Sequence, residues 1–230
     1  LVVDDESDFV HGLTDLPEGV ERTFETVSAG DDNPSVQSYY LVASGDFVTL
    51  SDGSVLRGTV TRTESEDDVV SEVEIRVSEG EDEGDTRILR EGDFTSVRTA
   101  RQWLEEYITA LADAGTIPDD RQLLVGMADT GEYSEEDATD SLLTTTWRTY
   151  FVHRRTEVTG DAIDDAAVAF DPQQQNPYVS LVFSSAGATD FEELTGDNIR
   201  RRMAIVLDDR VETAPVIQSR IGGGRAQITL

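Results

Sequence analysis

RMAIVLDDRVETAPVIQSRIGGGRAQITL, Arg202 to Leu230, is the stretch whose reading decides the fold. It opens with an apolar run, Met203 to Leu207, and meets a turn signal at Asp208-Asp209. A second extended run holds Pro215. The glycine tract Gly222 to Gly224 then leads into an alternating run, Ala226 to Leu230. Short extended segments punctuated by turn residues predict a β meander. Pro215 cannot donate to a ladder and belongs at a sheet edge or strand end. Moving outward, Tyr178 to Phe183 and Trp147 to Arg154 also read as strands. Thr159 can cap a helix from Gly160 to Ala169, whose small face (Ala162, Ala166, Ala169) would allow close approach to a sheet. Gly187 to Leu194 reads as a short helix closed by Gly196 at C′. The order β-α-β-α-β-β-β predicts an α+β fold, a mainly antiparallel sheet with helices packed on one side.

Within this region AIVLDDRV (Ala204 to Val211), TAPVI (Thr213 to Ile217) and IGGGRAQIT (Ile221 to Thr229) stand in series. EVTGDAIDDA (Glu157 to Ala166) and NPYVSLVFSSAGATDFEELTGDNI (Asn176 to Ile199) precede them. In this collinear order the motifs resemble the SecD family of Sec export auxiliaries. LVVDDESDF at the start resembles the place where SecD leaves its first extracytoplasmic half-domain. Two positions depart from the family pattern: Asp209 stands where Gly is usual, and Ala226 where Gly is common.

The resemblance implies the head of the large first extracytoplasmic (P1) domain, on the periplasmic side of a bacterial inner membrane. It implies unfolded preprotein as the bound partner. It also implies SecF, the SecYEG translocon and YajC as partners, reached through the full-length protein. In the family, proton-motive force drives the late steps of export, and proton conduction belongs to the membrane-embedded half. A head of this kind binds emerging polypeptide and couples by changing orientation. It is not an enzyme and requires no cofactor.

Composition bounds the alternatives. The 230 residues carry 48 acidic and 18 basic side chains, a formal net charge of −30, and every basic residue is Arg. Such a field repels nucleic acid and anionic membrane surfaces. The charge is uneven: residues 1–150 hold 36 acidic and 10 Arg, residues 151–230 hold 12 and 8. A solvated acidic surface suited to a salty environment accounts for the excess. With no Cys, disulfides and thiolate metal sites are impossible. No apolar run reaches the roughly 18–20 residues of a membrane span. Leu1 begins inside an apolar run and Leu230 closes inside a strand-like pattern, so the chain is expected to be a soluble piece of a longer protein.

The upstream part, residues 1–146, reads as an acidic β-rich and then helical elaboration, and residues 147–230 as the head-like α+β unit. Tyr39 to Ala43 and Phe47 to Leu50 flank a hairpin-type connection, Ser44-Gly45-Asp46. Asp52-Gly53 turns into the run Ser54 to Thr63. Val73, Ile75 and Val77 alternate with charged residues, the mark of a half-buried strand. Thr95 to Gly115 predicts a helix capped by Thr95 or Ser96, with Val97, Ala100, Leu104, Ile108 and Leu111 on one face. Gln122 to Met127 reads as a buried strand. Ser134-Glu135-Glu136-Asp137 fits a capping box for a helix through about Leu143.

No catalytic motif is present, and only His11 and His153 are available as imidazole bases. The glycine tract precedes a strand rather than a helix, which makes it a turn and not a phosphate cradle. The acidic loops Glu64 to Asp68 and Glu79 to Asp85 suggest an alternative class, a cation-dependent hydrolase or a calcium-binding structural module. Against it, their spacing does not match a calcium loop, and no repeat is visible. The surface expected to grip extended polypeptide is Val211, Pro215, Val216, Ile217 and Ile221.

Overall fold

The computed structural model describes residues 1–27, 35–64, 73–78, 86–128, 145–156, 158–170 and 177–229. In chain order the elements are α1 (Phe9–Gly12), β1 (Glu21–Val27), β2 (Val36–Ser44), β3 (Asp46–Leu50), β4 (Val55–Glu64) and β5 (Val73–Ser78). These are followed by β6 (Thr86–Leu89), β7 (Phe94–Thr99), α2 (Ala100–Asp113), β8 (Arg121–Met127) and β9 (Thr146–His153). A single 3₁₀ turn, Gly160–Ala162, leads to β10 (Ile163–Phe170), β11 (Pro177–Phe183) and α3 (Ser185–Asp197). The chain closes with β12 (Ile205–Leu207), β13 (Arg210–Thr213) and β14 (Arg225–Thr229). The α+β expectation holds, but the strands form three sheets rather than one. Their orders are β1-β2-β9-β8-β13-β12, β6-β5-β4-β3-β7 and β10-β11-β14.

β9 is the spine of the six-stranded sheet. Its residues Arg148 to Val152 are all buried, because both of its faces are covered. Phe151 points into a core of Leu41, Phe47, Leu104 and Leu123, beneath α2. Tyr150 and Val152 point the other way, against Val3, Ala204 and Val211. Residues Val2 to Asp4 run between β9 and the Arg202–Ala204 segment. Val3 N donates to Arg202 O (2.9 Å) and Asp4 N to Phe151 O (2.8 Å). Strands from the first 146 residues therefore share a sheet with the later ones.

β13 lies parallel to β8, with Val211 opposite Gly126. The approach is too close for a side chain: a Cβ at Gly126 would sit 2.4 Å from Val211 O and 2.9 Å from Tyr150 Cε2. Gly126→Ala is therefore expected to destabilise the fold by about 1–3 kcal/mol through overpacking. Urea unfolding would register this as a lower midpoint at constant slope.

Several local expectations change. Ser44-Gly45-Asp46 is not a hairpin: β2 and β3 belong to different sheets, and Gly45 (φ 80) turns the chain between them. The Asp46 carboxylate holds that corner by accepting from Val60 N at 3.0 Å. Thr95 and Ser96 lie in β7, paired across to β3, instead of capping a helix. The cap is Thr99, in a capping box with Gln102. Gly196 falls inside α3, which runs on to Asp197 with Asn198 as its cap. The helix expected over Gly160 to Ala169 is a 3₁₀ turn and a strand. Helix preference of the alanines is worth only tenths of a kcal/mol per residue. The register Ile163↔Phe183 through Phe170↔Pro177 outweighs it. The close helix approach occurs instead at Gly187, where a Cβ would lie 2.5 Å from Ala162 O. The capping-box helix at Ser134 and the acidic loops, from Ser65 on in the first and throughout the second, lie outside the described residues.

The β12–β13 turn and the glycine tract follow expectation. Asp208 and Asp209 take φ 48 and φ 60, so the two-residue loop is type I′. Asp tolerates that region better than most residues, which is how Asp209 replaces a glycine. Gly223 and Gly224 (φ 82 and 70) make the turn into β14.

Candidate functional site

The five residues expected to touch polypeptide separate by burial. Val211 and Ile217 are 2% and 4% exposed and belong to the interior. Pro215 is exposed, while Val216 and Ile221 are half-buried. Pro215 to Ile217 form a short ladder with Arg200 to Met203. Met203 N donates to Pro215 O (2.9 Å), Ile217 N to Arg201 O (2.9 Å), and Arg200 N to Ile217 O (2.8 Å). Ile221 is held apart from them, its N–H on Thr195 Oγ1 at 2.9 Å and its side chain against the α3 core. The accessible part of the strip is thus Pro215 and Val216, with Ile221 at its side.

Beneath the strip lies a buried ion lattice. Arg202 Nε donates to both oxygens of Asp5 at 3.0 Å, its Nη2 to Ser38 Oγ at 2.9 Å, and its Nη1 to Glu25. Glu25 also accepts from Arg148, whose guanidinium lies 3.6 Å from the Tyr40 ring centre and 4.6 Å from that of Tyr150. Burial pushes the Glu25 carboxyl up, but hydrogen bonds and attraction from Arg148 and Arg202 outweigh it and hold the pKa below its ordinary value. Burial works against the charge on Arg202, and Asp5 and Glu25 more than restore it. Side chains from the first segment, β1, β2 and β9 thereby fix the backbone that presents Pro215 and Val216.

A second feature escaped sequence reasoning. Val168 and Phe170 are each 65% exposed on β10. They share a face with Val179, opposite Val168, and with Pro177, opposite Phe170; Ile228 lies opposite Val179. The rows further along that face, Ile163 with Phe183 and Leu181 with Ala226, run under α3, where Phe191 and Leu194 cover them. The same apolar face is therefore covered at one end and bare at the other, as far as the described residues go. A helix at Gly160 to Ala169 would have hidden this alternation.

Half-buried His153 is pushed below its usual pKa by burial and by the Arg121 charge. Among the described residues no group of three or more His, Cys, Asp or Glu side chains could hold a metal ion. A cleft of about 460 Å³ beside the ion lattice is lined by Asp4, Asp5, Glu6, Val27, Val36, Arg200 and Arg201. Its lining carries charges of both signs. No helix among the described residues is long and apolar enough to cross a membrane.

Residues 133–230 match the family described as the SecDF P1 head subdomain. This part of the chain resembles a SecDF P1 head subdomain. The protein translocase subunit SecD of Anaeromyxobacter dehalogenans is 54% identical over 91 residues, 38% of this chain and 15% of that protein. SecD of Calditerrivibrio nitroreducens is 49% identical over 80 residues, 35% of this chain and 16% of that protein. The matches thus span only about a sixth of the length of these curated relatives. A solved structure, described as a membrane component SecDF that enhances protein export, is 49% identical over 34% of each chain, with a TM-score of 0.31.

Proposed function

We propose that this chain is the extracytoplasmic head of a SecD subunit, which binds emerging preprotein on the periplasmic side of the inner membrane. The observation that carries the reading is the head-subdomain match over residues 133–230, in a unit that leaves apolar side chains uncovered. The head is a binding and coupling module, not a catalyst. It would grip unfolded chains without sequence preference, through main-chain pairing and shallow apolar contacts. Movement of the head, driven elsewhere by proton-motive force, would pass the captured segment outward. SecF, the SecYEG translocon and YajC are the partners of the longer protein on this reading. Residues 1–146 are an elaboration sewn to the head through the shared sheet and the Arg202 lattice.

Photoreactive side chains at Val216, Ile221 and Val168, placed in the full-length protein, test the reading against a stalled preprotein. Crosslinks are expected from these positions and not from the exposed α2 residue Thr109. Silence at Val216 and Ile221 with signal at Val168 would remove the Pro215–Val216 strip as a contact surface. Silence at every position on the head would overturn the function itself.

A further inference from the structure

We propose that the outer edge of β10 accepts a cationic, apolar polypeptide as an added strand, using the bare rows at Val168 and Phe170 for its side chains. This rests on the polypeptide-binding reading above and specifies its mode and the class of segment taken.

The edge is open among the described residues. β10 stands at the end of the β10-β11-β14 sheet and, among the described residues, pairs only with β11. Asp164 to Val168 are exposed without interruption. An unpaired strand edge presents a row of N–H and C=O groups, the template for pairing with another chain. Natural proteins blunt such edges with charged side chains, Pro, β-bulges or very short strands. In β10 the charges and the register shift are confined to Ile163 to Asp165; from Ala166 to Phe170 it has neither charge nor Pro, and it carries Val168 and Phe170 on its bare face.

Charge selects the occupant. Asp161, Asp164 and Asp165 lie on the β10 side of this sheet, and Arg225 lies on the opposite edge strand β14. The whole chain carries −30. Two copies meeting at β10 would bring like charges together, and an anionic lipid surface or nucleic acid would be repelled. An extended segment with Arg or Lys on one side and apolar residues on the other satisfies the Asp pair, the backbone row and the bare face together. Main-chain pairing supplies affinity that ignores sequence, while alternate side chains give a preference for basic, apolar segments.

The test uses the 230-residue chain and a labelled synthetic peptide of about ten residues, Val alternating with Arg, long enough to pair along one strand edge. Fluorescence polarisation reads binding, and hydrogen exchange reads which amides are protected. The peptide is expected to protect amides within Asp164 to Ala169. It should bind about tenfold or more tighter than a Val–Glu counterpart and than a version N-methylated at every amide. The double variant Val168→Asp, Phe170→Asp separates strand docking from simple charge attraction, because it makes the edge more acidic while removing the apolar rows. Binding should fall in that variant, and also in Val168→Thr, Phe170→Thr, which keeps strand preference. Both positions are solvent-facing, so thermal unfolding should confirm intact folds. Binding that rises in the Asp variant, survives N-methylation, or protects another element would overturn the inference. So would protection of β10 that appears with rising protein concentration alone, the mark of a second copy. Preprotein crosslinks at Val216 without peptide binding at β10 would refute this mode and leave the general function standing. The absence of any polypeptide binding would refute both.

Discussion

Arg202→Ala is expected to lower the unfolding free energy by about 3–5 kcal/mol, the usual cost of stranding a buried charge. The side chains of Arg202 and Asp5 are each 9% exposed, and the substitution would leave Asp5 with Ser38 but no counter-charge. Glu25 would keep Arg148 as its partner. Urea unfolding measures the loss as a drop in midpoint at constant slope. Arg202→Met combined with Asp5→Leu should recover part of it, because a buried pair replaced by apolar groups leaves no uncompensated ion. An equal or larger loss in the double variant would mean that the lattice stabilises through more than its mutual charge.

The same lattice sets a pH dependence. Glu25 has a folded pKa below its ordinary 4.5. Its contribution is therefore fully present above pH 4.5 and is lost as pH falls through the lower folded value. Stability measured downward from pH 5 should decline more steeply in the parent than in Arg202→Ala, where one of the two arginines lowering that pKa is gone. Parallel declines would remove Glu25 from the account.

What was legible in the sequence was local. Period-two alternation and turn residues placed β2, β8, β9, β11 and the β12–β13 hairpin, since each is marked by its own side chains. What was illegible depended on distant partners. Arg202 meets Asp5 across 197 positions, and no spacing rule connects them. The alanines after Gly160 favour a helix until β11 and its register are known. Ser96 and Val97 read as the start of a helix, yet pair with β3 residues about fifty positions earlier. Gly45 looked like a hairpin turn because its neighbours alternate on both sides; that those neighbours enter different sheets is a property of the whole fold. For the contact surface, the sequence marked a segment but not its outward-facing residues. Val211 and Ile217 are as apolar as Val216, and only packing distinguishes them. Val168 and Phe170 were hidden by the helical reading, although IDDAAVAF contains the alternation once it is read as a strand.

Phe191→Ala is expected to cost about 3–5 kcal/mol as well, by a different route: a cavity rather than a stranded charge. Phe191 is 6% exposed, stacks on Phe183 with ring centres 4.5 Å apart, and packs with Val2, Leu194 and Ala226. These groups fasten α3 over the inner rows of the β10-β11-β14 sheet. Loosening the helix would extend the bare face from Val168 and Phe170 back to Leu181 and Phe183. Two readouts should therefore move together, a lower unfolding midpoint and a new tendency to associate. At low ionic strength the net charge of −30 should oppose that association. Salt screens it, the Debye length falling to about 3 Å at 1 M, so light scattering should rise with salt in Phe191→Ala and stay flat in the parent. Phe191→Leu should restore most of the stability by refilling much of the volume. Lost stability without salt-dependent association would mean that the inner rows stay covered without a firmly docked α3.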